Sequence, residues 1–325
     1  MDVLVTLRIC IAFCLFAVNS ICLASSISIR DRHDFFENAL QDLHSLLLTE
    51  NLWVKVHVAE FLLRENQLVQ EVRNEFLKEN RKFNTMAQYR IGIWRVLAQV
   101  ALTEEERTGW VSRIVRAYED AEGPDRLHAI ETLAKLRHPV ITDVLDLSQT
   151  VQRSLDAFAL YSLWNAVYRQ NQQVDEIREF LFDVIDSCLA AGDEKLLPVL
   201  SFIVRNVGPI GQEHWKRIRE IALSYRGAYH IQASLLTTAW ISASPDVDSS
   251  ELVPLKRKLQ SIKAEDGVLI NLLLVLSEPT NEADYEMLKK IYEEVRNKDR
   301  VEYDADTHAT AAYAVLKAYA LISHT

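Results

Sequence analysis

The chain has 325 residues, of which 49% are hydrophobic and 25% charged, with 36 Lys and Arg against 46 Asp and Glu for a net charge of −10. That composition is globular, with ample apolar material for a large core. An acidic chain without a basic stripe is excluded as a nucleic-acid binder, and 8 Gly and 7 Pro are too few for a loop-rich or all-β architecture.

The first 24 residues, MDVLVTLRICIAFCLFAVNSICLA, stand apart. Arg8 precedes an apolar run to Val18, and Cys22 and Ala24 sit at −3 and −1 of a cut before Ser25. The segment reads as a secretory signal peptide, which places the mature protein outside the cell or in a periplasm, or on a membrane if the segment is retained. Cys10, Cys14 and Cys22 leave with it, so Cys188 is the one thiol of the mature chain. It can form neither an internal disulfide nor a cysteine cluster for zinc, and reads as a small buried residue.

From residue 32 onward the hydrophobic periodicity predicts helix after helix. The ranges are 32–48, 51–64, 66–81, 86–101, 104–121, 124–137, 141–151, 154–169, 173–190, 194–206, 211–225, 228–242, 250–262, 265–277, 282–298 and 304–322. Strongly charged helices alternate with nearly all-apolar ones. TEEERTGWVSRIVRAYEDA at 103–121 is of the first kind and opens with a capping box, Thr103 to Glu106. WVKVHVAEFLL at 53–63 is of the second. VLINLLLVL at 268–276 is too short to cross a bilayer and reads as a core helix. ASPDVDSS at 243–250 reads as a loop, with the repeat continuing across it.

Each apolar helix carries one narrow polar arc at 100° per residue. The arcs are Trp53, His57, Glu60 and Arg64; then Gln88, Gly92, Arg95 and Gln99; then His128, Glu131 and Lys135; then Phe158, Ser162, Asn165 and Arg169. Their second members, 57, 92, 128 and 162, continue to Pro198, Ser234, Asn271 and Thr310, a step near 36 residues. A helix buried except along one line is the inner helix of a two-layer array, and the charged helices form the outer layer. The expected fold is therefore all-α, an α/α superhelix of about eight two-helix repeats, as a single domain over 25–325. The concave line of polar arcs is its binding surface.

VKVHVAEFLL, DRLHAIETLAKL and the step near 36 resemble HEAT-type repeats. WVKVHVAEFLL, YRIGIWRVLAQ and PDRLHAIETLAKL are also similar to HEAT-like extracytoplasmic segments associated with bacterial sodium:solute symporters. The resemblance implies an armadillo-like α-solenoid that binds partners, with a membrane transporter as one candidate partner.

The catalytic motifs GxSxG, GxGxxG, Walker A and HExxH are absent from the sequence. His57/Glu60 and His128/Glu131 place an imidazole one turn from a carboxylate, but their helices are two repeats apart. At about 20 Å they cannot share an ion, so neither a metal nor another cofactor is expected. The third-column series Glu60, Arg95, Glu131, Asn165 forms a ladder in which Arg95 ties two carboxylates. The candidate ligand- or partner-binding residues are Trp53, His57, Glu60, Tyr89, Arg95, His128, Glu131, Lys135 and Trp164, all in the amino-terminal half. Aromatic faces beside charged groups suit a carbohydrate or peptide, and a broad concave face suits a protein. Trp94 falls off the arc and reads as core. Gly92 leaves room for Trp53, His57 or a ligand, or for close helix packing. His214 reads as solvent-facing. The rival is an α/α-toroid carbohydrate-active enzyme using Glu60, Glu131 or Asp125. It requires a ring whose first and last helices meet, and two carboxyls within about 10 Å across a sugar.

Overall fold

A computed structural model describes residues 32–141, 156–168, 174–191, 194–207, 210–244, 246–262, 268–298 and 303–323. The signal-peptide segment 1–24 and nearly all of the helix expected at 141–151 lie outside them. The described residues form helices and the turns between them, so the expected all-α class holds. In chain order the helices are α1 (32–49), α2 (Leu52–Arg64), α3 (Val69–Phe83), α4 (Tyr89–Gln99), α5 (Glu104–Glu119), α6 (Arg126–Lys135), α7 (Ala157–Ala166) and α8 (Val174–Ala191). They continue as α9 (Leu197–Asn206), α10 (Gln212–Ser224), α11 (Tyr229–Ile241), α12 (Ser249–Ser261), α13 (Val268–Leu276), α14 (Glu282–Asn297) and α15 (Ala305–Ser323).

Polar side chains start several of these helices by accepting an otherwise orphaned backbone N–H. Thr103 accepts from Glu106 N at 3.1 Å, Asp156 from Ala159 N at 2.8 Å, and Asn281 from Asp284 N at 3.0 Å. The reciprocal arm of the capping box lands one residue early: Glu106 accepts from Leu102 N, at 3.0 Å. Two inner helices end in Schellman motifs. After α2, Asn66 N donates to Leu63 O and Gln67 N to Leu62 O. After α6, Arg137 N donates to Ala134 O and His138 N to Leu133 O. Asn66 and Arg137 take the left-handed position, at φ 53° in each case.

Burial separates the two layers. In α11 every residue from Ile231 to Trp240 is buried, whereas the neighbouring α10 buries Trp215, Ile218 and Ala222 along one face. The inner layer is α2, α4, α6, α7, α9, α11, α13 and α15, each packed on the next. The outer layer holds α1, α3, α5, α8, α10, α12 and α14.

The chain of contacts then returns to its start. α15 packs on α2, with Phe61 and Tyr313 stacked at 4.4 Å and 8° and His57 Nδ1 2.9 Å from an Asp306 oxygen. In the outer layer α1 meets α14: the Tyr292 hydroxyl donates to Asp42 at 2.7 Å and Arg32 donates to Glu282 at 2.6 Å. Leu43, Leu46 and Leu47 share one continuous apolar core with Tyr285, Leu288, Val315 and Leu316. The ends meet through core-quality packing, so neither terminal repeat exposes an apolar flank that would need a polar capping repeat.

Candidate functional site

The inner helices converge on a cavity of about 710 Å³. Its wall takes His57, Glu60, Phe61 and Arg64 from α2, Gln99 from α4, Lys135 from α6, Trp164 from α7, Phe202 and Asn206 from α9, Ile270 and Leu274 from α13, and Asp306 and Thr310 from α15. Arg107, Arg137 and Tyr168 complete the rim from the connecting segments and α5. On α2, α4, α6 and α7 most of these positions lie in or near the last turns, whereas Asp306 and Thr310 enter from the first turns of α15, so the cavity sits toward the carboxy-terminal ends of the amino-terminal inner helices.

The nine residues expected at a site divide along that axis. His57, Glu60, Lys135 and Trp164 line the cavity. Arg95, 1% exposed, lies behind Glu60 and reaches it at 2.6 Å and 3.0 Å. Glu131 pairs with Lys135 at 2.7 Å. Trp53, Tyr89 and His128 sit toward the opposite end of the inner helices and form an aromatic cluster. Trp53 stacks on His128 at 5.4 Å and meets Tyr89 edge-on at 6.5 Å. Tyr89 belongs to the core rather than the cavity wall: it is 2% exposed and its hydroxyl donates to Glu79 at 2.6 Å.

The ladder is built with one substitution. Arg95 ties α2 to α6 as expected, but its second partner is Thr132 Oγ1 at 3.2 Å, not Glu131. Asn165, fully buried, carries the next rung by donating to His138 O and accepting from Val140 N, both at 2.8 Å. Asp125 is 1% exposed and accepts from Arg90 Nε at 2.7 Å and from the backbone N–H of Gln88. Gln88 stands at φ 65°, so Asp125 holds the strained entrance to α4 and clamps one repeat to the next.

The electrostatics are one-sided. Burial alone would raise the Glu60 carboxyl, but the charges of Arg95, Lys135 and Arg64 outweigh it and hold the group down at about 2. Glu131 is likewise held below its ordinary range, with Lys135 and Arg95 outweighing burial. Lys135 is pushed down by burial and by Arg95, in part offset by Glu131 and Glu60. Glu60 in the wall and Glu131 beside Lys135 are thus fixed anions near neutral pH.

Several wall residues escaped the sequence reading. Phe202, Asn206 and Asp306 lie in the carboxy-terminal half, as does Thr310, which stood in register with His57 but was not chosen as a site residue. Ring closure brings them opposite α2, and that closure is set by packing between segments about 250 residues apart. Arg64 and Gln99 already stood on the polar arcs; their position in the last turn was the available signal. His214 corrects the expectation of solvent exposure: it stacks on Phe182 at 4.5 Å and pairs with Glu179 at 3.1 Å. Trp94 packs at 8% exposure, donating to Asn80 at 3.1 Å, and Cys188 is buried at 3%, both as expected. Among the described residues no three His, Cys, Asp or Glu side chains are placed to hold a metal ion, and no helix is long and apolar enough to cross a membrane.

No protein-family model, curated protein or solved structure matches this chain.

Proposed function

We propose that this is an exported, non-enzymatic helical-repeat binding protein that holds a small ligand in the cavity lined by its inner helices. The observation that carries the reading is the convergence of side chains from seven of the eight inner helices, four of them through their polar arcs, on one space of about 710 Å³. That size is typical of a small-molecule pocket. A protein partner needs roughly 800 Å² of open surface on each side. With the ends of the array in contact, a protein such as an envelope transporter would have to read the rim or the outer layer. The wall combines aromatic faces (Phe61, Trp164, Tyr168, Phe202) with fixed charges, which suits an organic ligand having both an apolar or sugar-like face and polar groups.

The toroid-enzyme reading gains one support, the contact between first and last helices. Its chemistry is poorly served by the carboxylates named for it. A glycosidase needs one carboxyl kept protonated until it donates. Glu60 and Glu131 are held ionised by cations, and Asp125 is buried in its clamp on Arg90 and Gln88, outside the cavity wall.

A panel of sugars, oligosaccharides, short peptides and organic acids tests the two readings together. The full-length chain is screened by thermal shift and each hit is titrated by calorimetry and then recovered. The binding reading expects a saturable rise of the midpoint, near 2.7 kcal/mol of stabilisation at ~100-fold excess over Kd, with the ligand recovered intact. Conversion of a hit to products establishes the enzyme instead. A panel without binders removes the cavity from the account.

A further inference from the structure

The chemical class of the ligand is legible in the cations of the cavity. The wall holds four cationic side chains, Arg64, Arg107, Lys135 and Arg137, against two carboxylates, Glu60 and Asp306, in a chain whose net charge is −10; of the four, Lys135 pairs with Glu131 and Arg107 with Glu104. Glu60 is already taken by Arg95 from behind. Asp306 is taken by His57.

Arg205 on α9 sharpens the point. Its Nε is buried without a hydrogen-bond partner among the described residues, and the contact seen for the guanidinium is with the Phe202 ring. Burial pushes the guanidinium down to about 10. The Nε is thus desolvated without a partner, which costs stability, while the rest of the side chain is partly exposed. The guanidinium carbon lies 5.8 Å from the centroid of the Phe202 ring, and Lys135 Nζ lies 5.2 Å from the same centroid. Phe202 is part of the cavity wall. Two cations therefore flank one aromatic ring at the edge of the cavity, one of them with an unpartnered Nε. Arg137 adds a second local cost: it occupies a left-handed position that favours glycine, and a glycine there would carry no charge to the rim.

We propose that the cavity binds a small organic anion, with its carboxylate or phosphate seated by Lys135 and Arg205 beside Phe202 and the remainder of the molecule against Trp164 and Tyr168. This rests on the binding reading above and assigns the ligand's class. The arginine fork matches the two oxygens of a carboxylate or the face of a phosphate, and Lys135 supplies a second point charge.

The test uses matched probes: glucuronate and glucose 6-phosphate against glucose, and benzoate against benzamide. They are titrated into the full-length protein at low ionic strength and again in ~0.5 M salt. At least one anion binds ~10-fold or more tightly than its neutral partner, and the preference shrinks in salt. The carboxylate and phosphate arms tell which oxyanion is preferred. Arg205→Met removes the preference and, in the ligand-free protein, leaves the thermal midpoint unchanged or raised, since the desolvated Nε has no partner to lose. A merely structural Arg205 would lower the midpoint when replaced. Lys135→Met serves as a second variant and weakens the anion ~10-fold while leaving the neutral partner unchanged. Equal binding of anion and neutral partner, or a preference that survives both substitutions, overturns the proposal while leaving the binding reading standing. Absence of binding by every probe, charged and neutral, counts against both.

Discussion

At the scale of single residues the molecule turns on a few buried polar contacts. Arg95 is the centre of one, because it binds Glu60 and Thr132 from a position that is 1% exposed. Arg95→Ala leaves Glu60 in the wall without its counter-charge, and equilibrium urea unfolding should show a loss of about 3–5 kcal/mol. The same pair makes stability depend on pH. The Glu60 carboxyl stands at about 2 in the folded chain against an ordinary 4.5, so its folded-state value is depressed. Its contribution, on the order of 3 kcal/mol, is complete above the ordinary value and is lost as pH falls from about 4.5 toward 2. Unfolding midpoints measured from pH 6 to pH 3 should fall more steeply for the natural chain than for Glu60→Gln; parallel curves would contradict the assignment. Gly92 is a third case. A Cβ there would stand 2.9 Å from Val56 Cγ2 and 3.0 Å from Trp53 Cζ3, so both anticipated reasons for a glycine, room for Trp53 and close helix packing, apply. Alanine would gain about 1 kcal/mol of helix propensity. The rigid Val56 and the indole must give way, at about 1–3 kcal/mol. Gly92→Ala is therefore expected to be destabilising by up to about 2 kcal/mol in the same assay, and a more stable variant would show that the indole moves freely.

At the scale of elements, helix type and placement were written in the sequence because the two layers have different burial patterns. An inner helix such as α11 is apolar nearly all round, and an outer one such as α10 shows one apolar face. The narrow arcs supplied wall residues on α2, α4 and α6, but on α7 the wall residue is Trp164, which lies off the arc. What they could not give was position along the helix axis. Trp53 shares its arc with Glu60, and Tyr89 stands next to Gln88 on the arc of Gln99, yet both pack at the amino-terminal ends of their helices, away from the cavity. Glu131 was expected to bind Arg95 from its arc position. Within α6, however, Lys135 one turn away competes for it at 2.7 Å, and the shorter Thr132 fills the gap. The exit of α6 carries a prediction of its own. Arg137 closes a Schellman motif at φ 53°, where glycine fits without strain. Arg137→Gly should raise stability by about 0.5–1 kcal/mol in urea unfolding while removing one charge from the cavity rim. A loss of stability would mean that its contact with the Tyr168 ring, at 5.7 Å, outweighs the strain.

At the scale of the whole molecule, the ring of contacts changes how the repeats share stability. An open array unfolds as a sum of local units and nearest-neighbour terms, with its ends most labile. Here the first and last helices are each other's neighbours, and one apolar core runs from Leu43 and Leu47 into Tyr285 and Leu316. Leu47→Asp buries an unpaired charge in that seam. Hydrogen exchange should then lose protection in α1 to α4 and in α13 to α15 together, with α8 to α10 spared; loss confined to the amino-terminal helices would contradict a shared core. The seam was illegible in the sequence because the step near 36 residues specifies the neighbour relation but not the curvature, and curvature decides whether the ends meet. It is also the seam that places Asp306 and Thr310 opposite His57 and so completes the cavity. The measurement that bears most directly on the account is therefore calorimetric titration of the best panel binder into the natural chain and into Ile270→Trp. This substitution fills the cavity from α13 without touching its charged wall. Affinity should fall at least ~30-fold, with the unfolding transition retained. Unchanged affinity would place the ligand elsewhere and contradict the cavity-binding proposal.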